Sequence, residues 1–392
     1  MVATLDEDLE LRSDELLNAI DLAVLADERL AVLDRDGAVL FSPAGVPLGR
    51  WGRRGVAPGE FVAPFGIVPV GEKVVVAQGT TEPGAITVFD RHGTVLSAVG
   101  PPIDGDWLAY RLRGPALFAD HPVGSGVEDW SRRIQPASDT TYYLAIQDQE
   151  RGVSAEDRTS VKGPLHIIHL SVAGTVLDTL TSLPASPSIL WSLGNEERPG
   201  LYWEPLFQGR PLWAAGLGWW ATSHFGDSAV IVHVAGRGSV RLEWPAARRS
   251  VTEDDRDNAS RYAVDYARRA STQVPSRIPF MSPSERARLP GRFKRFFQFA
   301  VERPEITGLW AAGDCILVVP FDSRTYIDGA AGVMARVHVK RAAMLDVVRI
   351  GTTDVRVLAV TDRYIYGRTY DDEDVPSVRR WRLPDGQCQP KL

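Results

Sequence analysis

Short runs in which apolar and polar residues alternate, separated by turn residues, recur along most of the chain. Two such runs flank the turn at residues 34–37 (Asp-Arg-Asp-Gly), and two more flank the turn at residues 90–93 (Asp-Arg-His-Gly). Alternation with a period of two predicts half-buried strands, and an Asp-x-x-Gly turn between two of them predicts a hairpin. Because the hairpin recurs after roughly 50 residues, the chain is predicted to have a repeat architecture.

The predicted strands group into five units of four strands and a last unit of three. Units of four strands are typical of propeller blades, and a ring avoids open edges by pairing its last blade with its first. A predicted N-terminal strand at residues 4–12 is available for the last unit. We therefore expect an all-β, six-bladed propeller closed by that strand, with an open or a seven-bladed arrangement as the alternatives. The full units span about 18–50, 64–100, 113–183, 211–245 and 306–351, and the last three strands lie at 355–360, 364–369 and 378–383.

The segment between units one and two carries the most recognisable motif. Glycines at 52, 55 and 59 surround Pro58 and lead to Phe61, and the next strand begins Pro-Phe-Gly-Ile at residues 64–67. This resembles the linker of NHL-type propellers, and residues 88–93 (Val-Phe-Asp-Arg-His-Gly) continue that repeat. The whole chain resembles bacterial six-bladed β-propeller proteins of the NHL/TolB-like group, although the linker does not recur after unit two. The resemblance implies an exported protein, commonly a lipoprotein, from a group in which most members have no assigned activity.

A helical insertion is predicted at about 246–305, between units four and five. Thr252 and Asp255 have the spacing of a capping box, and alanines and tyrosines follow at helical spacing. A basic and aromatic run at 291–299 is interpreted as a helix that packs its phenylalanines on the ring, with a lid or a docking helix as the alternatives. We expect residues 1–392 to form a single propeller domain that includes this insertion.

Charge and cysteine content narrow the classes of function. The formal net charge of −6 argues against a nucleic-acid partner, and no apolar run is long enough for a transmembrane segment. The first residues lack a signal peptide, so the location is either cytoplasmic or, if a leader was removed, extracytoplasmic. Cys315 and Cys388 could form one bridge, but two free thiols are the favoured reading.

Long connections predict where a ligand would bind. Segments 148–164, 184–210, 246–305 and 321–334 fall on one propeller face, and only the predicted loop at 120–141 falls on the other. Loop variation on a rigid scaffold is where function usually resides. We therefore expect a binding or interaction scaffold for a protein, peptide or carbohydrate, although the same aromatic residues could simply pack the linkers onto the ring. The candidate ligand-binding residues are Arg111, Arg113, Trp203, Glu204 and Arg210.

The alternative function is a metal-dependent hydrolase or lyase, similar to the lactonase-type propellers that hold a divalent ion in the central channel. Whether the chain is an enzyme stays open at this point, and no catalytic residue is assigned. No metal or cofactor is predicted for the scaffold, whereas the enzyme would use Ca²⁺, with Asn18, Asp21 and Asp354 as candidate ligands. These oxygens are fewer than the six or more that Ca²⁺ usually takes. Arg113 and Thr307 are further polar residues expected along the channel.

Overall fold

The structure is a computed structural model, and the residues that it describes cover most of the strands. They are residues 2–14, 16, 19–61, 64–78, 86–99, 134–149, 162–184, 211–224, 228–244, 249–259, 261, 300–323, 332–352, 355–370, 375–384 and 388.

The described strands form a six-bladed β-propeller in which each blade is an antiparallel meander. The N-terminal segment supplies β1 (Val2–Leu5) and β2 (Glu7–Leu11). Blade one contains β3 (Asp21–Val24), β4 (Leu30–Asp34), β5 (Gly37–Phe41) and β6 (Pro47–Trp51). The linker that follows contains β7 (Arg53–Arg54) and β8 (Glu60–Phe61). Blade two contains β9 (Pro64–Val70), β10 (Lys73–Gln78), β11 (Ile86–Asp90) and β12 (Val95–Val99).

The remaining blades repeat this plan. Blade three contains β13 (Ile134–Pro136), β14 (Thr141–Gln149), β15 (Lys162–Ser171) and β16 (Val176–Leu183). Blade four contains β17 (Leu212–Gly216), β18 (Trp219–Ser223), β19 (Ala229–Val234) and β20 (Gly238–Glu243). After the small strands β21 (Arg249–Ser250) and β22 (Glu302–Arg303), blade five contains β23 (Ile306–Ala312), β24 (Cys315–Pro320), β25 (Val333–His338) and β26 (Ala343–Ile350). Blade six contains β27 (Arg356–Val360), β28 (Tyr364–Tyr370) and β29 (Pro376–Arg382).

The blades form a ring because their first strands contact one another in order. Contacts run from β3 to β9, β13, β17, β23 and β27, and from β27 back to β3. An apolar cluster fills each of the six seams between neighbouring blades. The second strands are therefore covered on both faces, which explains their nearly continuous apolar sequences, such as Val74–Ala77 in β10 and Ile316–Val319 in β24.

The N-terminal segment contains two strands where the sequence predicts one. β1 pairs in parallel with β26 and makes blade five a five-stranded sheet. β2 pairs antiparallel with β29 and gives blade six its fourth strand. Its acidic residues meet arginines of β29: Arg380 Nε donates to Asp8 Oδ1 at 2.8 Å, and Arg379 pairs with Glu7 at 3.2 Å. The segment therefore contacts two successive blades.

The two Asp-x-x-Gly turns that suggested a repeat are not equivalent. Residues 34–37 join the second and third strands of blade one, whereas residues 90–93 lie between the third and fourth strands of blade two. The true counterpart in blade one is the turn at residues 42–45, where Ser42 N donates to Val46 O at 2.8 Å, as Asp90 N does to Thr94 O at 2.9 Å. Gly45 and Gly93 both have φ near +85°, at 83° and 86°, a region that favours glycine. The alignment from sequence was wrong by one hairpin because Asp34 and Asp90 carry the same local turn chemistry.

The linker between blades one and two is a structural junction. Phe61 lies in the apolar cluster with Trp51 and Phe89, and the Trp51 and Phe89 rings stack with centroids 6.2 Å apart. Gly52 lies against the Phe61 ring, where a Cβ atom would fall 2.2 Å from Cε2, so only glycine fits. Glu60 accepts hydrogen bonds from Ala57 N at 3.0 Å and Arg53 Nε at 2.6 Å, which fixes the turn.

The cysteines form a disulfide, so the favoured reading of two free thiols was wrong. Cys315 at the start of β24 is bonded to Cys388, and both residues are buried. The residues after β29 return to blade five, where Asp314 N donates to Cys388 O at 2.8 Å and Arg336 Nη1 donates to Pro384 O at 3.0 Å. Arg336 is itself buried and pairs with Asp346, its Nε lying 2.6 Å from Oδ1. Sequence spacing could not reveal this bridge, because the two cysteines are 73 residues apart.

The predicted capping box is present at the start of the helix that covers residues 253–259. Asp255 N donates to Thr252 Oγ1 at 3.2 Å, and Thr252 N donates to Asp255 Oδ2 at 3.0 Å. Arg303 on β22 binds the same carboxylate at 3.0 Å, which attaches the helix to the entrance of blade five. The run at 291–299 lies outside the described residues.

Among the residues that the structure describes, no helix has the length and apolar character needed to cross a membrane.

Reduction of the disulfide is expected to lower the free energy of unfolding by about 4 kcal/mol, because the bond closes a long loop in the unfolded chain. Denaturant titrations of protein folded under oxidising conditions, with and without reductant, measure this difference. The control is a Cys315→Ala/Cys388→Ala variant, whose unfolding should not respond to reductant. Two titratable thiols in the unreduced, unfolded protein would contradict the bridge.

Candidate functional site

The two faces of the ring differ in the length of their connections. In an antiparallel meander, the connections between first and second strands and between third and fourth strands share a face, here called the turn face. None of them exceeds five residues. They are residues 25–29, 42–46, 71–72, 91–94, 137–140, 172–175, 217–218, 235–237, 313–314, 339–342 and 361–363.

The opposite face, here called the linker face, carries the other connections. It receives every connection longer than five residues, including those between successive blades. The longest are residues 100–133, 184–211 and 244–305. A ligand approaching the linker face would therefore meet most of the chain that is not part of a strand.

One prediction about the faces was wrong and its correction strengthens the asymmetry. The first strand of blade three was expected at 115–119, which placed the loop at 120–141 on the turn face. The strand in that position is β13, which pairs with β14 at Ile134 and Leu144. Residues 120–133 therefore belong to the connection from blade two to blade three, on the linker face. The short Ile-Gln-Pro strand shows no alternation, so its pattern could not be recognised.

The candidate ligand-binding residues lie in the two connections that flank blade three. Arg111 and Arg113 belong to residues 100–133, and Trp203, Glu204 and Arg210 belong to residues 184–211. All five lie outside the described residues, as do the candidate metal ligands Asn18 and Asp354.

Asp21 is the one candidate metal ligand that the structure describes, and its side chain joins two blades. It is the first residue of β3 and is buried. Its Oδ2 accepts from Ile67 N of blade two at 2.9 Å, and its Oδ1 accepts from Leu22 N at 2.9 Å. Burial raises the pKa of Asp21 well above its ordinary value, while the two N–H donors and the charge of Arg356 act in the opposite direction. Both oxygens therefore already serve backbone donors.

A close approach of three blades surrounds this carboxylate. A Cβ atom on Gly66 of β9 would lie 3.6 Å from Asp21 Oδ2 and only 2.4 Å from Cγ2 of Ile134 on β13. Any larger residue at position 66 would therefore push β9 away from blade three. The glycine lets the backbone of blade two reach the carboxylate of blade one.

Gln135 forms a similar bridge that the sequence analysis missed. It lies on β13, and its Oε1 accepts from Ala215 N on β17 of blade four at 2.5 Å. As with Asp21, a side chain on the first strand of one blade accepts from a backbone N–H on the first strand of the next. The available signal was a polar residue within an inner strand, but the partner depends on how the blades pack.

Thr307, expected along the channel, has a structural contact. Its Oγ1 lies 3.4 Å from both Val319 O and Pro320 O within blade five, so the hydroxyl can donate to the neighbouring strand. In the described part of the chain, no three His, Cys, Asp or Glu side chains come together as a group that could hold a metal ion.

Replacing Asp21 with asparagine is expected to change how stability depends on pH. Because the folded-state pKa of Asp21 is raised, its contribution to stability is fully present below the ordinary value of 3.8 and is lost as pH rises through the folded pKa. Unfolding free energies measured from pH 4 to pH 7 should therefore fall for the wild type relative to Asp21→Asn.

The exposed Asp27→Asn substitution serves as the control and should leave the pH dependence unchanged. Asp21→Ala removes the acceptor from two backbone N–H groups and should lower the unfolding free energy by about 1–3 kcal/mol. If the wild type and Asp21→Asn keep a constant difference across this range, the carboxyl group has no raised pKa.

Comparison with solved structures agrees with the fold. A member of the DUF4221 family from Bacteroides vulgatus superposes with a TM-score of 0.50 at 9% identity, over 97% of each chain. The WD40 repeats of RRP9 superpose with a TM-score of 0.43 at 10% identity, over 98% of this chain and 99% of theirs. No protein-family model matches the sequence, and no curated protein matches it. At such low identity the similarity to the DUF4221 protein supports the propeller fold alone.

Proposed function

We propose that this chain is a binding scaffold whose linker face holds a protein, peptide or carbohydrate ligand. The observation that carries the proposal is the placement of every connection longer than five residues on that face. A packed ring keeps the strand ends fixed, and segments of variable sequence can then present side chains to a ligand. Residues 1–392 act as one propeller domain in this proposal, with the segment at 246–305 as an insertion on the binding face.

Blade three is the proposed centre of the binding surface. Both of its flanking connections are long, and together they contain arginines, a tryptophan and a carboxylate. Tryptophan and arginine dominate the energetics of many interfaces, because one supplies apolar area and the other several hydrogen-bond donors. The proposal assigns ligand contact to Arg111, Arg113, Trp203, Glu204 and Arg210.

The disulfide supports an extracytoplasmic location for this scaffold. Such bonds persist in oxidising compartments and are rare where thiols are kept reduced. Cys315 and Cys388 are the two cysteines of the chain, and they are bonded to each other. The resemblance to the NHL/TolB-like group points the same way, since its members are often exported. In this proposal the ligand is met outside the cytoplasm.

The N-terminal strand closes the ring in this proposal. It is supported by the pairing of β2 with β29 and by the apolar cluster in which Leu11 contacts residues of blades one and six. The rigid linker face would then depend on residues from the two ends of the chain.

The alternative of a metal-dependent hydrolase or lyase receives no specific support from the described residues. Asp21 spends its oxygens on backbone donors, as described above. The scaffold is therefore the function that we carry forward.

Binding is tested by screening the purified full chain on glycan and peptide arrays and then titrating a hit by calorimetry. Arg210→Ala and Trp203→Ala should each weaken binding by roughly tenfold to a hundredfold, the effect of losing an interface anchor. Arg237→Ala, an exposed arginine on the turn face, is the matched control and should bind as the wild type does.

Two results would overturn the proposal. One is an equal loss of affinity in Arg237→Ala, which would place the ligand elsewhere. The other is stoichiometric Ca²⁺ or Zn²⁺ in the purified protein, which would favour the enzyme.

The closing strand is tested by exchanging the charges of one ion pair. Asp8→Arg and Arg380→Asp should each lower the unfolding free energy by up to about 1 kcal/mol, and the double variant should recover most of the loss. Added salt should reduce these differences. Glu243→Arg, which breaks an exposed pair with Arg241 inside β20, is the control. Losses that simply add in the double variant would argue against contact between the strands.

A further inference from the structure

The seam between blades three and four contains an apolar cluster with two histidines at its margin. The cluster includes Tyr143 and Trp213, and Trp220 packs against it. His169 pairs across strands with Tyr143, their ring centroids 4.9 Å apart. His233 pairs with Trp220 in the same way and stacks on it, with centroids 3.7 Å apart and planes inclined by 9°. Each imidazole is thus held against an aromatic ring of the seam.

Both histidines lie near the turn face. His169 is two residues before the end of β15, and His233 is the second-last residue of β19. The turns that follow, at 172–175 and 235–237, are short. A proton from solvent therefore has a short path to either ring, whereas the rest of the seam is apolar.

We propose that the seam between blades three and four is acid-sensitive, and that protonation of His169 and His233 loosens these two blades from each other at the turn face. The inference does not rest on the proposed function. It concerns one of six seams, and the propeller otherwise stays assembled.

The local contacts disfavour a charged imidazole. His169 Nε2 is buried and has no hydrogen-bond partner among the described residues, so the added proton would find no acceptor. His233 lies face to face with an indole ring, and burial lowers its pKa. Burial also lowers the pKa of His169, partly offset by the negative charge of Asp178.

The charged groups on the neighbouring strands do not remove this effect. Asp178 on β16 is paired with His169 across strands and is the one acid that acts on its ionisation. Ser239 on β20 is paired with His233 and carries no charge. Further along β20, Arg241 is bound to Glu243 at 2.6 Å. The elements facing the seam from blade four contribute Trp213, Ala215 and Trp220, which do not titrate near neutral pH.

The sign of the pH dependence follows from the lowered pKa values. A histidine that binds its proton more weakly in the folded state than at its ordinary value of 6.5 favours folding above that pH. This contribution is fully present above pH 6.5 and is lost as pH falls through the folded-state pKa. Mildly acidic solution should therefore weaken the seam before it affects blades without such histidines.

Hydrogen exchange of the full chain at pH 7 and pH 5, corrected for the intrinsic rate, provides the test. In the wild type, amides of β14, β15, β18 and β19 should lose protection by roughly tenfold at pH 5, since local opening sets their exchange. Amides of β4, β5, β10 and β11 should not change. In His169→Phe/His233→Phe, which keeps an aromatic ring at both positions, the loss at pH 5 should disappear.

A second pair of variants guards against misfolding of the first. His169→Gln/His233→Gln also cannot titrate, and His92→Gln at an exposed turn is its matched control. Unchanged acid sensitivity in both double variants would overturn the proposal. Equal loss of protection in all blades of the wild type would overturn it as well, because the effect would then be global.

Discussion

A ring of sheets keeps its shape only when every blade is held on both sides, and here each seam is filled by its own apolar cluster. The last seam is the demanding one, because its two sides come from opposite ends of the chain. Leu11, Leu22 and Val378 meet in the cluster between blades six and one. The disulfide and the buried Arg336 hold the residues after β29 against blade five. The rigidity of the other blades depends on these contacts, since an open ring would leave two blades with one neighbour each.

Polar contacts add direction to this apolar packing. Asp21 and Gln135 each reach from a first strand to a backbone N–H of the next blade. An apolar cluster tolerates small shifts, whereas a hydrogen bond to one N–H group fixes the height of one strand relative to its neighbour. Such bridges also explain why a buried carboxylate persists in an inner strand, where an apolar side chain would otherwise be expected. Its role is to align two blades.

Much of the fold could be predicted from the sequence, because alternation and turn residues are local signals. Most strands of blades one, two, four and five were placed within a few residues. The errors arose where local chemistry was ambiguous or absent. The Asp-Arg-Asp-Gly turn resembles a turn that occupies another position in blade two, and β13 is too short to show a period. The bridge between Cys315 and Cys388 depends on the closure of the ring, which no spacing reveals.

The candidate site was less predictable for a related reason. A binding face can be inferred from connection lengths, since a meander dictates which connections share a face. Particular contacts cannot, because they depend on how linkers fold over the strand ends. Asp21 illustrates the difference: its residue type suggested a metal ligand, and only the packing of blade two against blade one shows that its oxygens bind backbone amides.

The position of β2 in the sheet of blade six has a consequence for synthesis. Glu7–Leu11 leaves the ribosome among the first residues, while its partner Pro376–Arg382 is among the last. During translation the acidic strand must therefore wait, unpaired, while the intervening blades stack on one another. Such distant pairing makes assembly slow, since contacts between remote segments form late. The negative charges of the waiting strand suit this delay, because like-charged strands on neighbouring nascent chains repel each other and resist pairing in the wrong molecule.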